Sequence, residues 1–231
     1  MKILSVDSSS LTASAAVTEN GKVLSEGFIN NGLTHSQTLM PLVEEVLSNS
    51  GVKIEEIDAF AVTHGPGSFT GVRIGIAAVK GMADALSKPC VAVSSLEAAA
   101  EPFYGGDKLV CSVMDARCGQ VYTAGFSGGK RLFEDRAVSS AELCARLCSQ
   151  PREVLLTGDG AEKCFEEFQD KLKSVAAAEG DSKYIHASSV GFIAEEKLKR
   201  GEITDSGELV PFYLRLPQAE RELKKKKENL K

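Results

Sequence analysis

Residues 65–71 read GPGSFTG and place Gly65, Gly67 and Gly71 between an apolar run and a helical one. Free amides at a helix start attract anions, so a phosphate cradle is one reading. The spacing is not the GxGxxG dinucleotide fingerprint, and no GK[ST] follows as in a P-loop. The other reading is a tight turn with close backbone packing, for which glycine is equally suited. Gly158-Asp159-Gly160 is a second such turn, serving either a phosphate or a plain strand-to-helix connection. Two aspartates, Asp7 and Asp115, end apolar segments. The three histidines, His35, His64 and His186, have no ligand partner at i+4 and read as surface or capping residues. There is no HExxH, no GxSxG and no nucleophile–base pair by spacing. The six cysteines show neither CxxC nor a disulfide framework, so a reduced, cytosolic chain is expected. Cys144 and Cys148, four apart, read as small core residues.

These residues need elements to hold them. Residues 2–7, 12–19 and 22–30 alternate around Asn20-Gly21, a strong hairpin signal, and predict a three-stranded meander. Thr34 and Gln37 predict a capping box for a helix over 35–50, with Pro41 in its first turns. A strand at 57–63 feeds the glycine loop and a helix over 70–87. Residues 90–94 form a strand, and Ser94 with Glu97 predicts a capping box for a helix that Pro102 ends. The pattern then restarts with a hairpin over 108–117 and 120–127, a helix at 140–149, a strand at 153–157, a helix after Gly160 and another at 189–200. A strand ending in aspartate followed by a hairpin therefore occurs twice. This implies a duplicated α/β fold with lobes 1–103 and 104–214 and a basic tail, 215–231, carrying Lys224 to Lys227.

On a helical wheel, Arg73, Lys80, Asp84 and Ser87 fall within about 60°, and every other position of 70–87 is apolar or small. Such a helix is either central in its own lobe or has a second face for another protein. The apolar residues of helix 35–50 cover about 160°.

The chain has 231 residues, 43% hydrophobic and 26% charged, with a net charge of −5. It is long enough for one large domain or two small lobes, and its body is not a nucleic-acid binder by charge alone. No apolar run reaches the length of a membrane span, and MKILSVDSSS is too short in its apolar part for a signal peptide.

The stretch GPGSFTGVRIGIAAVKGMADAL closely resembles the signature of the bacterial TsaB (YeaZ) family of tRNA threonylcarbamoyladenosine biosynthesis proteins. ILSVDSSS, HSQTLMPLVEEVL (35–47), MDARCGQVY (114–122) and PFYLR (211–215) follow in family order; Gln120 stands where the family commonly has glutamate. The resemblance implies the two-lobed actin/Hsp70/sugar-kinase (ASKHA) α/β fold. It implies a cytoplasmic, non-catalytic subunit that binds and activates the paralogue TsaD, together with the ATPase TsaE, and pairs with itself when TsaD is absent. In the family the helices after the meander and after the glycine loop make that contact, which here points to Leu39, Met40, Val43, Leu47, Val72, Ile76, Val79 and Met82. The catalytic paralogue carries HMEGH, whose histidines bind a metal; Ser95 to Ala99 here offers serine and alanine instead, and neither replaces an imidazole. No catalytic, metal or cofactor residue is therefore expected, and tRNA is met indirectly or through the lysine tail. The alternative is a stand-alone phosphotransferase of this fold. Such enzymes place glycine soon after the first aspartate, whereas Asp7 is followed by Ser8, Ser9 and Ser10, whose hydroxyls are also able to bind phosphate.

Overall fold

The computed structural model describes residues 1–215. The lysine run expected at 224–227 lies outside them. The meander forms as β1 (Lys2–Asp7), β2 (Ala13–Glu19) and β3 (Lys22–Ile29), with Asn20 and Gly21 both at positive φ in the tight turn. Next come α1 (His35–Ser50), β4 (Ala59–Gly65), α2 (Phe69–Leu86), β5 (Cys90–Ser94) and α3 (Ser95–Ala100). The second half repeats the series as β6 (Leu109–Asp115), β7 (Gln120–Ser127), β8 (Lys130–Ser139), α4 (Ser140–Cys148), β9 (Val154–Thr157), α5 (Ala161–Phe168), β10 (Val175–Ala177) and α6 (Ala187–Lys199).

The sheets run β3-β2-β1-β4-β5 and β8-β7-β6-β9-β10, the same order position for position. In each, the first three strands are antiparallel and the remaining two parallel. The duplication is thus complete, including two strands that the sequence pattern does not reveal. One is β8 (KRLFEDRAVS), whose charges mask its alternation at the sheet edge; the other is the three-residue β10.

The third helix of each series packs mainly on the other lobe's sheet. α6 lies across β1 and β2, and α3 lies on β6 and β7. Ile3, Val91 and Leu96 share one core with Val110, Phe126, Val190 and Ile193. Hydrogen bonds follow the exchange: the Ser5 hydroxyl donates to Ala187 O at 2.6 Å and the Ser14 hydroxyl to Ile185 O at 3.1 Å. Residues 185–214 thus pack largely on the first lobe, and the two halves of the chain share one core.

One of these contacts titrates. His186 stacks on Phe28 at 4.9 Å, and its Nδ1 lies 3.6 Å from Glu26 Oε2. The bond to Glu26 raises the His186 pKa above 6.5, against the effect of burial. Burial pushes Glu26 upward, yet the bonds from His186 and Ser188 outweigh it and leave that carboxyl below 4.5. The histidine contribution is complete below pH 6.5 and lost as pH rises through the higher folded value; the glutamate contribution is complete above pH 4.5 and lost as pH falls through the lower one. His186→Ala should therefore cost on the order of 1 kcal/mol near pH 5.5 and progressively less toward pH 9, as read from urea melts across pH. A cost that does not vary with pH would sink this assignment.

Candidate functional site

The glycine loop is a packing device. Ser68 N–H donates to Ser9 O at 2.7 Å, and the Ser8 hydroxyl donates to Gly71 O at 2.9 Å. A Cβ on Gly67 would overlap the Ser9 carbonyl oxygen, and one on Gly71 that of Ser8. Close approach of two backbones accounts for Gly67 and Gly71. Ser68 caps α2 by accepting from Gly71 N–H at 3.2 Å. The two expected boxes are partial. Thr34 makes no side-chain cap and bonds the Gln37 side chain instead, while Ser94 accepts from Glu97 N–H at 3.4 Å. The Glu97 carboxylate turns away to pair with Arg131 at 3.1 Å, and Arg131 also pairs with Asp135 on β8.

Asp7 ends β1 fully buried. Its Oδ1 accepts from Ser9 N–H (3.1 Å), the Ser9 hydroxyl (2.6 Å) and the Thr63 hydroxyl (2.5 Å). Burial raises its pKa, and these bonds partly oppose the rise. A cleft of about 390 Å³ opens between the lobes. Ser9, Ser10, Gly67 and Phe69 line it from the first lobe, and Asp115, Arg117, Tyr122 and Asp159 from the second. Asp159, in the second glycine turn, accepts from Asp115 N–H at 3.0 Å. Its pKa is pushed up to about 6 by burial, with the charges of Asp115 and Asp7 adding to the effect. Arg117, Cys118 and Gly119 follow Asp115 with positive φ, and a non-glycine residue in that region costs about 1–2 kcal/mol. Among the described residues, no three of His, Cys, Asp and Glu converge as metal ligands do.

The histidines are more deeply engaged than their sequence positions suggest. His35 Nε2 lies 2.9 Å from Ser10 O, and His64 stacks on Phe212 at 5.7 Å, with its pKa lowered by burial and by Lys197. His186 stands at the start of α6 without capping it through its side chain. Cys144 is buried, but its neighbour Cys148 is exposed.

Of the eight residues expected at a partner interface, six lie in the first lobe's own core: Leu39, Val43, Val72, Ile76, Val79 and Met82 are each at most 8% exposed. The two helices spend those side chains on β1, β2 and β4. Met40 is 40% exposed, and Leu47 is half-buried. Besides Arg73 and Asp84, the exposed positions of α2 are Thr70, Ala77, Gly81 and Ala85, flanked by half-buried Ile74 and Ala78.

The polar stripe of α2 has a partner in the chain itself. Residues 204–215 run along it: the Ser206 hydroxyl bonds Asp84, Lys80 Nζ approaches the carbonyls of Gly207 and Leu209 at 3.4 Å, and Arg73 Nε donates to the Tyr213 hydroxyl at 2.7 Å. Arg73 also sits 3.8 Å over the Phe69 ring, which stacks on Tyr213 at 4.9 Å. The segment then crosses the cleft, where Arg215 bonds the carbonyls of Ala116 and Arg117. Tyr213, Arg215 and Arg117 are the cleft residues that sequence reasoning passed over. The PFYLR motif was the signal for Tyr213 and Arg215, and MDARCGQVY the signal for Arg117.

A family model described as "TsaD: tRNA N6-adenosine threonylcarbamoyltransferase" matches residues 30–223. The tRNA threonylcarbamoyladenosine biosynthesis protein TsaB of Bacillus subtilis is 33% identical over 228 residues, 95% of this chain and 96% of that protein. YeaZ from Pseudomonas aeruginosa superposes with a TM-score of 0.79 at 28% identity, over 92% of this chain and 99% of that one. The activator of 2-hydroxyisocaproyl-CoA dehydratase from Clostridium difficile, solved with bound ADPNP, shares the fold alone, with a TM-score of 0.53 at 10% identity over 87% of this chain and 97% of that one. With two matching five-stranded sheets, this is the two-lobed ASKHA fold. Signature loop, duplicated topology and near full-length similarity agree: the chain belongs to the TsaB (YeaZ) family, within the broader group that the TsaD model describes.

Proposed function

We propose that this chain is a non-catalytic cytoplasmic subunit in the biosynthesis of threonylcarbamoyladenosine on tRNA. It binds and activates TsaD, acts with the ATPase TsaE, and pairs with itself when TsaD is absent. The reading rests chiefly on α3. Where the catalytic paralogue carries metal-binding histidines, this helix has Ser95, Leu96, Ala98 and Ala99, all at 0% exposure, and a Glu97 already paired with Arg131. Its side chains serve the core between the lobes and leave no imidazole for a metal.

The outward faces of α1 and α2 are the docking surface in this reading. Ala77, Ala78 and Gly81 let a partner helix approach closely, and Met40, Leu47 and Ile74 supply apolar area beside them. The six buried interface candidates set the position of that surface from beneath. Lys224 to Lys227, outside the described residues, add tRNA phosphate contacts whose strength falls with salt.

A stand-alone phosphotransferase is the second reading, favoured by the cleft and its carboxylates Asp115 and Asp159. Reconstitution separates the two. Threonylcarbamoylation of tRNA by TsaD and TsaE should require this chain, while calorimetry with ATP and magnesium should show no binding to the chain alone. Full modification without the chain would overturn the first reading. ATP turnover by the isolated chain, lost in Asp159→Asn, would establish the second.

A further inference from the structure

We propose that Pro211–Arg215 is a strap that sets the opening of the interlobe cleft, with Tyr213 as its anchor on the first lobe and Arg215 as its latch on the second. Phe212 N–H donates to His64 O at 2.7 Å, and the Tyr213 ring is held by Phe69 at 4.9 Å and by the Arg73 Nε bond at 2.7 Å. Two residues later the Arg215 guanidinium donates to the carbonyls of Ala116 and Arg117. Only two residues of chain, at most about 7 Å, and the two gripping side chains lie between the contacts, so a wide parting of the lobes here requires one end to let go.

The latch grips a turn that has reason to be held. Arg117 and Cys118 sit at φ 61° and 55°, and Ala116 N–H closes the turn on Gln120 O at 3.0 Å. Arg215 places a fixed cation against two carbonyls of this turn, a charge-assisted arrangement stronger than a neutral bond. Tyr213 and Arg215 both line the cleft, whereas the exchanged helices α3 and α6 line no part of it. The helices therefore hold the lobes together, and the strap governs the space between them. It also ties the cleft to the outer side of α2, since Arg73 is gripped by the same tyrosine.

Hydrogen exchange on the full chain tests this. Arg215→Ala should speed exchange at the Ala116 and Gln120 amides about tenfold while leaving β1 and β6 unchanged. Tyr213→Ala removes a ring that packs on the first lobe, yet it should raise exchange at the same second-lobe turn. Arg215→Lys should retain part of the protection, because an ammonium still donates to carbonyls. The strap is refuted if Arg215→Ala leaves the turn within about twofold of the parent, or if Tyr213→Ala has no effect there. An equal rise across both sheets would also refute it, as a general loss of stability.

Discussion

Gly81→Arg is expected to leave the fold intact and abolish threonylcarbamoylation of tRNA in the reconstituted system, whereas Val72→Glu is expected to unfold the chain. Both residues lie on α2, on opposite sides. Val72 is 1% exposed and packs in a core with Leu4, Val62 and Leu39. A glutamate there buries a carboxylate with no partner, at a cost of several kcal/mol, enough to consume most of a domain's stability. Gly81 faces outward, and a Cβ placed on it meets nothing within 4 Å. Replacing a helical glycine with arginine should stabilise the isolated chain by about 1 kcal/mol. The same side chain would hold any partner helix away from the Ala77–Ala78–Gly81 face. Thermal melts with a modification assay decide the matter. Full modification with Gly81→Arg would remove this face from the docking surface, and a native melting temperature for Val72→Glu would contradict its place in the core.

Gly71→Ala should destabilise the chain by about 3 kcal/mol, at the upper end of what one added methyl group does in a packed site. The new carbon would overlap the Ser8 carbonyl oxygen and come within 3.2 Å of the His35 ring. A backbone oxygen cannot move aside as a side-chain tip does. Relief therefore requires pulling α2 away from the turn after β1, breaking the 2.9 Å bond from Ser8 to Gly71 O. Gly105→Ala is the control, since its Cβ site is open. Denaturant midpoints that agree between the two variants would show that the close approach carries no energy.

Much of this architecture is legible in the residues. Asn20-Gly21 announces the first hairpin, and the aspartates ending β1 and β6 expose the repeat. The family signature lies in a single stretch through α2. The direction of each helix face is not legible. An apolar wheel reports that a side chain is buried and is silent on what buries it, so the α2 core residues were indistinguishable from an interface. The stripe of Arg73, Lys80 and Asp84 has a specific partner in residues 204–215, more than a hundred positions away. No local pattern encodes such a pairing. Strand β8 escaped because Arg131 and Asp135 serve an ion-pair network with Glu97, and those charges interrupt the alternation that marks a strand.

The crossed placement of α3 and α6 also bears on how the molecule comes into being. During synthesis the ribosome delivers β1 and β2 first, yet the helix that shields one face of them ends at Lys199. The amino-terminal half cannot complete itself while the rest is still being translated, and the sheet face that carries Ile3, Ala61 and Val91 stays partly uncovered until the carboxyl end arrives. Nascent chains of this protein must therefore pass through a stage with an uncovered apolar sheet, the stage at which chaperones bind and aggregation begins.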